Sequence, residues 1–124
     1  MLKPIETVKI LQRNSHIQSL IPGGEVIFHQ GTEGNVMYGI IEGEVEMLVN
    51  GEVVETIKEG DVFGQGALLH SDHLRASTAR AKTDCKIASL DKERFLFAVQ
   101  ETPMFALEVM KSYSDRFRRL KLSI

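Results

Sequence analysis

Residues 60–81, GDVFGQGALLHSDHLRASTARA, hold the side chains and glycines best placed to do chemistry. Gly60, Gly64 and Gly66 punctuate the first part, and Gln65–Leu69 is compatible with one turn of helix. Glycines opening a helical turn leave backbone N–H groups free and convergent, and the partial positive charge there favours an anion. Arg75 follows at a distance that lets the chain fold back, so that its planar guanidinium can face the same point and grip phosphate oxygens. The competing reading is a surface arginine paired with a carboxylate such as Asp72. His70, Asp72 and His73 in the intervening loop raise the question of a metal site. Two histidines in one polar loop without a third nearby do not make a ligand set, and they are read as solvated loop residues. No Ser–His–Asp or paired-carboxylate arrangement stands out, so no enzyme is expected. Cys85, the single cysteine, lies in an apolar run and is expected to be a buried, inert thiol.

The elements that must position this stretch are short strands. Val26–Phe28, Val36–Ile41, Glu44–Val49 and Glu52–Ile57 read as strands before it, and Ala76–Lys82 and Cys85–Leu90 after it. Asn50-Gly51 is the strongest hairpin signal, a two-residue turn needing positive φ at both positions. Many short strands at this spacing indicate a sandwich or barrel. Helices flank them. Pro4 and Glu6 suit the first turn of a helix over 4–13, and His16–Ile21 is expected to form a second short helical turn before the break at Pro22-Gly23-Gly24. Asp91 is placed as the N-cap of a helix over 92–100. A last helix starts at Thr102-Pro103. Along it Ala106, Met110, Tyr113, Phe117, Leu120 and Ile124 form a heptad seam, and the cluster Arg116, Arg118, Arg119 and Lys121 is expected to complement the helix dipole.

The 124 residues suffice for one domain with a real core. Charged residues make up 26% of the chain and the net charge is −2, which argues against nucleic acid as a partner. No apolar run approaches the roughly 20 residues that span a bilayer, and the N-terminus lacks an apolar signal core, so a cytoplasmic protein is the default.

Order and spacing now add a family. Phe63-Gly64-Gln65, Ala67-Leu68-Leu69, Arg75-Ala76-Ser77 and Ala79-Arg80-Ala81 resemble the phosphate-binding cassette of cyclic nucleotide-binding domains. Gly24–Phe28 with Gly31, Tyr38–Val45 and Gly60–Gly64 extend the resemblance over roughly residues 20–122. It implies a mainly β fold with flanking helices: an eight-stranded double-sheet jelly-roll β-barrel over 23–90, an N-terminal helical segment over 1–22 and C-terminal helices over 91–124, in one domain. It implies a cyclic nucleotide, cAMP or cGMP, as ligand, with no other cofactor and no metal. Gly64, Gly66, Ala67, Arg75, Ala76 and Ser77 would hold the phosphate and Gln65 the ribose, while Met47, Val54 and Ile57 are proposed for the apolar wall around the base. Gln65 stands where the family usually has Glu, which removes a charge and on the order of 1 kcal/mol of hydrogen bonding. Gly66 stands where an apolar residue is usual. The function implied is a stand-alone sensor signalling through its C-terminal helix, with a homodimer formed through residues 106–124 and no DNA-binding domain in the chain. The alternative is the same fold without a ligand, serving as a dimerisation or docking module. A metal-dependent cupin-like enzyme is the third and weakest reading.

Overall fold

The computed structural model describes residues 4–14 and 17–122. In chain order the strands are β1 (Ile17–Ile21), β2 (Val26–Phe28), β3 (Val36–Glu42), β4 (Val45–Val49), β5 (Glu52–Ile57), β6 (Val62–Phe63), β7 (Thr78–Ala81) and β8 (Cys85–Asp91). They form two antiparallel four-stranded sheets, ordered β1-β8-β3-β6 and β2-β7-β4-β5. The eight-stranded double-sheet jelly roll is therefore as expected, although the two sheets remain a sandwich and do not close into a barrel.

Alternation explains the core. Ile40, Phe63, Cys85 and Ile87 from the first sheet meet Val45, Met47, Ile57, Ala79 and Ala81 from the second, all buried. The first sheet is covered on its outer side as well. There Met37, Val62, Ala88 and Leu90 pack against Ile10 and Leu11, Ala98, Phe105 and Val109. Those residues come from α1 (Pro4–Asn14), α3 (Lys92–Glu101) and α4 (Met104–Leu122). Asp91 caps α3 as expected, its carboxylate accepting from the Arg94 N–H at 2.9 Å. Asn50 and Gly51 have φ of 52° and 83°, the mirror-image turn that the β4–β5 hairpin requires. The Cys85 thiol is buried and donates to the carbonyls of Glu44 and Thr83, and burial pushes its pKa up, which leaves it inert.

Two expectations change. Ile17–Ile21 is a strand and not a helical turn, pairing antiparallel with Cys85–Ser89 at the edge of the first sheet; His16 lies outside the described residues. The pairing partner is distant in sequence, and the open edge of β8 overrides the local pattern. On α4 the buried stripe is Phe105, Val109, Ser112 and Arg116. The expected seam is a neighbouring stripe, with Met110 and Phe117 left 65% and 60% exposed. Ile124 lies outside the described residues. Arg116 is thus buried and not a surface charge set against the helix dipole.

Gly43, in the β3–β4 turn, has φ +97°, and a Cβ there would lie 2.5 Å from the Asp84 carbonyl oxygen. Gly43→Ala is expected to destabilise the fold by about 2–4 kcal/mol, read as a lower urea midpoint with unchanged slope. A loss under ~0.5 kcal/mol would contradict this account of the turn.

Candidate functional site

β6 runs into Gly64, whose φ of +76° turns the chain into the single helical turn α2 (Gly66–Leu69). The loop after α2 is closed by its own polar residues. The Leu74 N–H donates to Asp72 Oδ1 at 3.0 Å, and His73, at φ +56°, donates from Nδ1 to the Ala67 carbonyl at 2.7 Å. These two groups are thus spent on turn geometry. The loop delivers Arg75 with its backbone fixed on both sides: its N–H donates to Thr32 O and its carbonyl accepts from the Gly31 N–H, both at 2.8 Å.

The Arg75 side chain turns inward and is 5% exposed. Nη1 donates to Gly64 O at 2.8 Å and Nη2 to Val36 O at 2.7 Å. The guanidinium carbon lies 4.1 Å from the centre of the Phe28 ring and 5.7 Å from that of Tyr38. Phe28, Tyr38 and Phe63 stack on one another beneath it. Gly34 makes room for the seat: a Cβ there would fall 2.2 Å from Arg75 Nε. Among the described residues Nε has no hydrogen-bond partner, and no carboxylate pairs with the guanidinium. Burial lowers its pKa, offset in part by Tyr38 and Tyr113. The surface ion pair with Asp72, the bland alternative for Arg75, does not form.

Arg75 borders a cavity of about 220 Å³. All six residues expected at the phosphate reach its wall: Gly64, Gly66, Ala67, Arg75, Ala76 and Ser77. Met47 reaches it too. The other base-wall candidates do not. Ile57 is buried in the core between the sheets. Val54 is 44% exposed because β4 and β5 slip register there: Met47 faces Glu55, Leu48 faces Val53, and Val54 is the extra residue of a bulge. Gln65, expected at the ribose, is 1% exposed and off the wall, and neither its amide nitrogen nor its oxygen has a partner among the described residues.

The sequence reading placed the base between the sheets and the last helix but missed the wall residues Phe28, Glu55, His70 and Leu74, and Tyr113 and Arg116 on α4. Tyr113 and Arg116 lie three apart on one helical face, a spacing that was visible. Tyr113 brings its hydroxyl to the Gly66 backbone, closing the cavity over α2. Arg116 Nη1 donates to Val62 O at 2.5 Å and to Ser112 Oγ at 3.1 Å, and Nε lies 3.3 Å from Glu55 Oε2, an ion pair without hydrogen-bond alignment. The Ser112 hydroxyl donates onward to Asp61 Oδ1 at 2.6 Å. One helix is thereby tied to β5, to β6 and to the Gly-rich turn. Such a cavity, with a buried uncompensated cation and small residues exposing backbone at its wall, can take a small anion bearing a flat or apolar appendage.

Comparisons with known proteins bear on this arrangement. The family described as "Cyclic nucleotide-binding domain" matches residues 19–102. The chain is 41% identical over 96 residues to a cAMP-dependent protein kinase regulatory subunit of Emericella nidulans, covering 76% of this chain and 23% of that protein. It is 44% identical over 73 residues to the subunit of the same name in Schizosaccharomyces pombe, covering 58% and 18%. The chain therefore spans about a quarter or less of the length of these curated relatives. Among solved structures, the catabolite activator protein of Thermus thermophilus superposes with a TM-score of 0.78 at 24% identity, covering 98% of this chain and 61% of that one. A structure described under "A cyclic-GMP-dependent signalling pathway regulates bacterial phytopathogenesis" superposes at 0.79 with 22% identity, covering 95% and 96%. At these identities the structural likeness establishes the fold.

The chain has two tyrosines and no tryptophan, so phenolate absorbance reads the site directly. Burial, the largest cause for both Tyr38 and Tyr113, raises their pKa above 10.0. A raised phenol pKa stabilises the fold below the unfolded value near 10 and loses that contribution as pH rises through the folded value. Both phenols are expected to ionise above pH ~10 in the native protein and near pH ~10 in urea, with stability falling over that interval. Native titration at the unfolded value would contradict this packing.

Proposed function

The chain belongs to the cyclic nucleotide-binding domain family, and from that premise we propose that its Arg75 cavity binds a cyclic purine nucleotide, cAMP or cGMP, by the phosphate. The observation that carries the reading is the Arg75 guanidinium, 5% exposed and without a carboxylate partner among the described residues. A buried, uncompensated cation is costly, and the single negative charge of a cyclic phosphate would offset that cost. Gly64, Gly66 and Ala67 bring backbone to the same wall, and Ser77 a hydroxyl.

Occupancy would be passed on through α4. Tyr113 and Arg116 both border the cavity and belong to the helix that Arg116 ties to β5 and β6. A ligand that favours one setting of these contacts shifts the helix toward it. The exposed stripe with Met110 and Phe117 would then meet a second copy of the chain, as the heptad spacing anticipates. That same stripe favours the second reading, a dimerisation or docking module that has lost its ligand, because it needs no nucleotide to act. The relatives are named as regulatory subunits, which supports a regulatory role over a catalytic one.

Calorimetric titration with cAMP and cGMP separates the two readings. Saturable binding is expected, weakened in Arg75→Gln by about 2–5 kcal/mol, roughly 30-fold or more. No heat from either nucleotide up to millimolar concentration, with the protein folded, would favour the docking module.

A further inference from the structure

The cavity has two ends of unlike chemistry. Arg75, Ala76 and Ser77 immediately precede β7 and define the cationic end. Across the second sheet, Ala79 on β7, Met47 on β4 and Glu55 on β5 pair in one row. Residues directly opposite one another share a face of the sheet. Ala79 and Met47 are 0% and 5% exposed, so the row faces inward and Glu55 is turned to the cavity it lines. Two strand spacings, roughly 10 Å, separate Ala79 from Glu55 across the row, and Arg75 and Glu55 line the same cavity from different strands.

Glu55 is there by ordinary alternation, two residues before Ile57, which is 1% exposed, and the bulge beyond it leaves Val54 exposed. Arg116 Nε, 3.3 Å from Oε2, holds the carboxylate in place, and no protein donor among the described residues engages Oε1. An ionised carboxylate only accepts hydrogen bonds. The Watson–Crick edge of guanine offers N1–H and the 2-amino group side by side, two donors that match a carboxylate. Adenine offers its 6-amino group beside an unprotonated N1, which would set lone pair against lone pair.

We infer that Glu55 reads the base and that the cavity selects guanine, cyclic GMP over cyclic AMP. The inference rests on the reading of the cavity as a cyclic nucleotide site. A bidentate carboxylate–base pair discriminates by about 1–3 kcal/mol, so the expected preference is about tenfold or more.

The test uses three nucleotides on the unmodified chain and on Glu55→Gln. Cyclic IMP keeps N1–H and lacks the 2-amino group, so it isolates half of the contact. In the unmodified chain, cGMP is expected to bind about tenfold or more tighter than cAMP, with cIMP between them. In Glu55→Gln, shown to be folded by its melting curve, cGMP affinity is expected to fall about tenfold while cAMP changes by no more than about twofold. Binding of all three with equal affinity, or a preference for cAMP, would overturn the inference and leave the nucleotide site standing. An equal loss of all three in Glu55→Gln would reduce Glu55 to a support for Arg116, which also overturns it. No binding of any of the three removes the site and the inference together. The selectivity series on the unmodified chain decides the matter even if Glu55→Gln does not fold.

Discussion

A guanidinium buried without a counter-ion among the described residues is the constraint around which the rest of this molecule is arranged. Arg75 is held by two backbone carbonyls, Gly64 O and Val36 O, and by the face of Phe28. Carbonyl dipoles and a ring quadrupole lower the cost of burying a cation without cancelling its charge. Each holder comes from a different part of the chain: the Gly-rich turn, the start of β3 and the end of β2. The glycines serve the same seat. Gly34 leaves space beside Nε, and Gly64 lies so close that a Cβ there would fall 2.8 Å from Nη1. The aromatic stack of Phe28, Tyr38 and Phe63 forms its floor and is part of the core between the sheets. The positive end of the cavity is thus built into the packing of the domain and not hung on a surface loop.

The opposite wall is built differently. Arg116 is also buried, but it has a carboxylate, a backbone carbonyl and a serine hydroxyl around it. Its task is mechanical: it locks the middle of α4 to β5 and β6, and the Ser112–Asp61 bond extends the lock to the turn before β6. Tyr113, from the same helix turn, closes over Gly66, so the Gly-rich turn and α4 are in direct contact. The helix has two apolar stripes, one taken by its own sheet and one left exposed.

Much of this was legible in the residues, and what was not has identifiable physical causes. Asn50-Gly51 and the capping Asp91 act through local geometry, so they read correctly. All six residues assigned to the phosphate end reach the cavity wall because they lie in one short, glycine-punctuated stretch. Ile17–Ile21 was misread because its pairing partner lies about seventy residues on, and strand formation at a sheet edge depends on that partner. Val54 was misplaced because a period of two counted from the buried Ile57 puts Glu55 on the inner face, and the bulge beyond it leaves Val54 exposed. Arg116 was grouped with its basic neighbours because a helix mixing charges and apolar residues on several faces does not announce which face is buried. Gln65 went the other way: its position in the turn was read correctly, yet its side chain points below the wall into the packing, where its amide has no partner among the described residues.

Among possible measurements, side-chain ¹⁵N spectra of the arginines bear most directly on the central claim, because they observe the Arg75 guanidinium itself. The account predicts that adding a cyclic nucleotide moves the Arg75 resonances more than those of any other arginine, as phosphate oxygens replace an unpaired environment. Saturable nucleotide binding that leaves the Arg75 signals in place would contradict it.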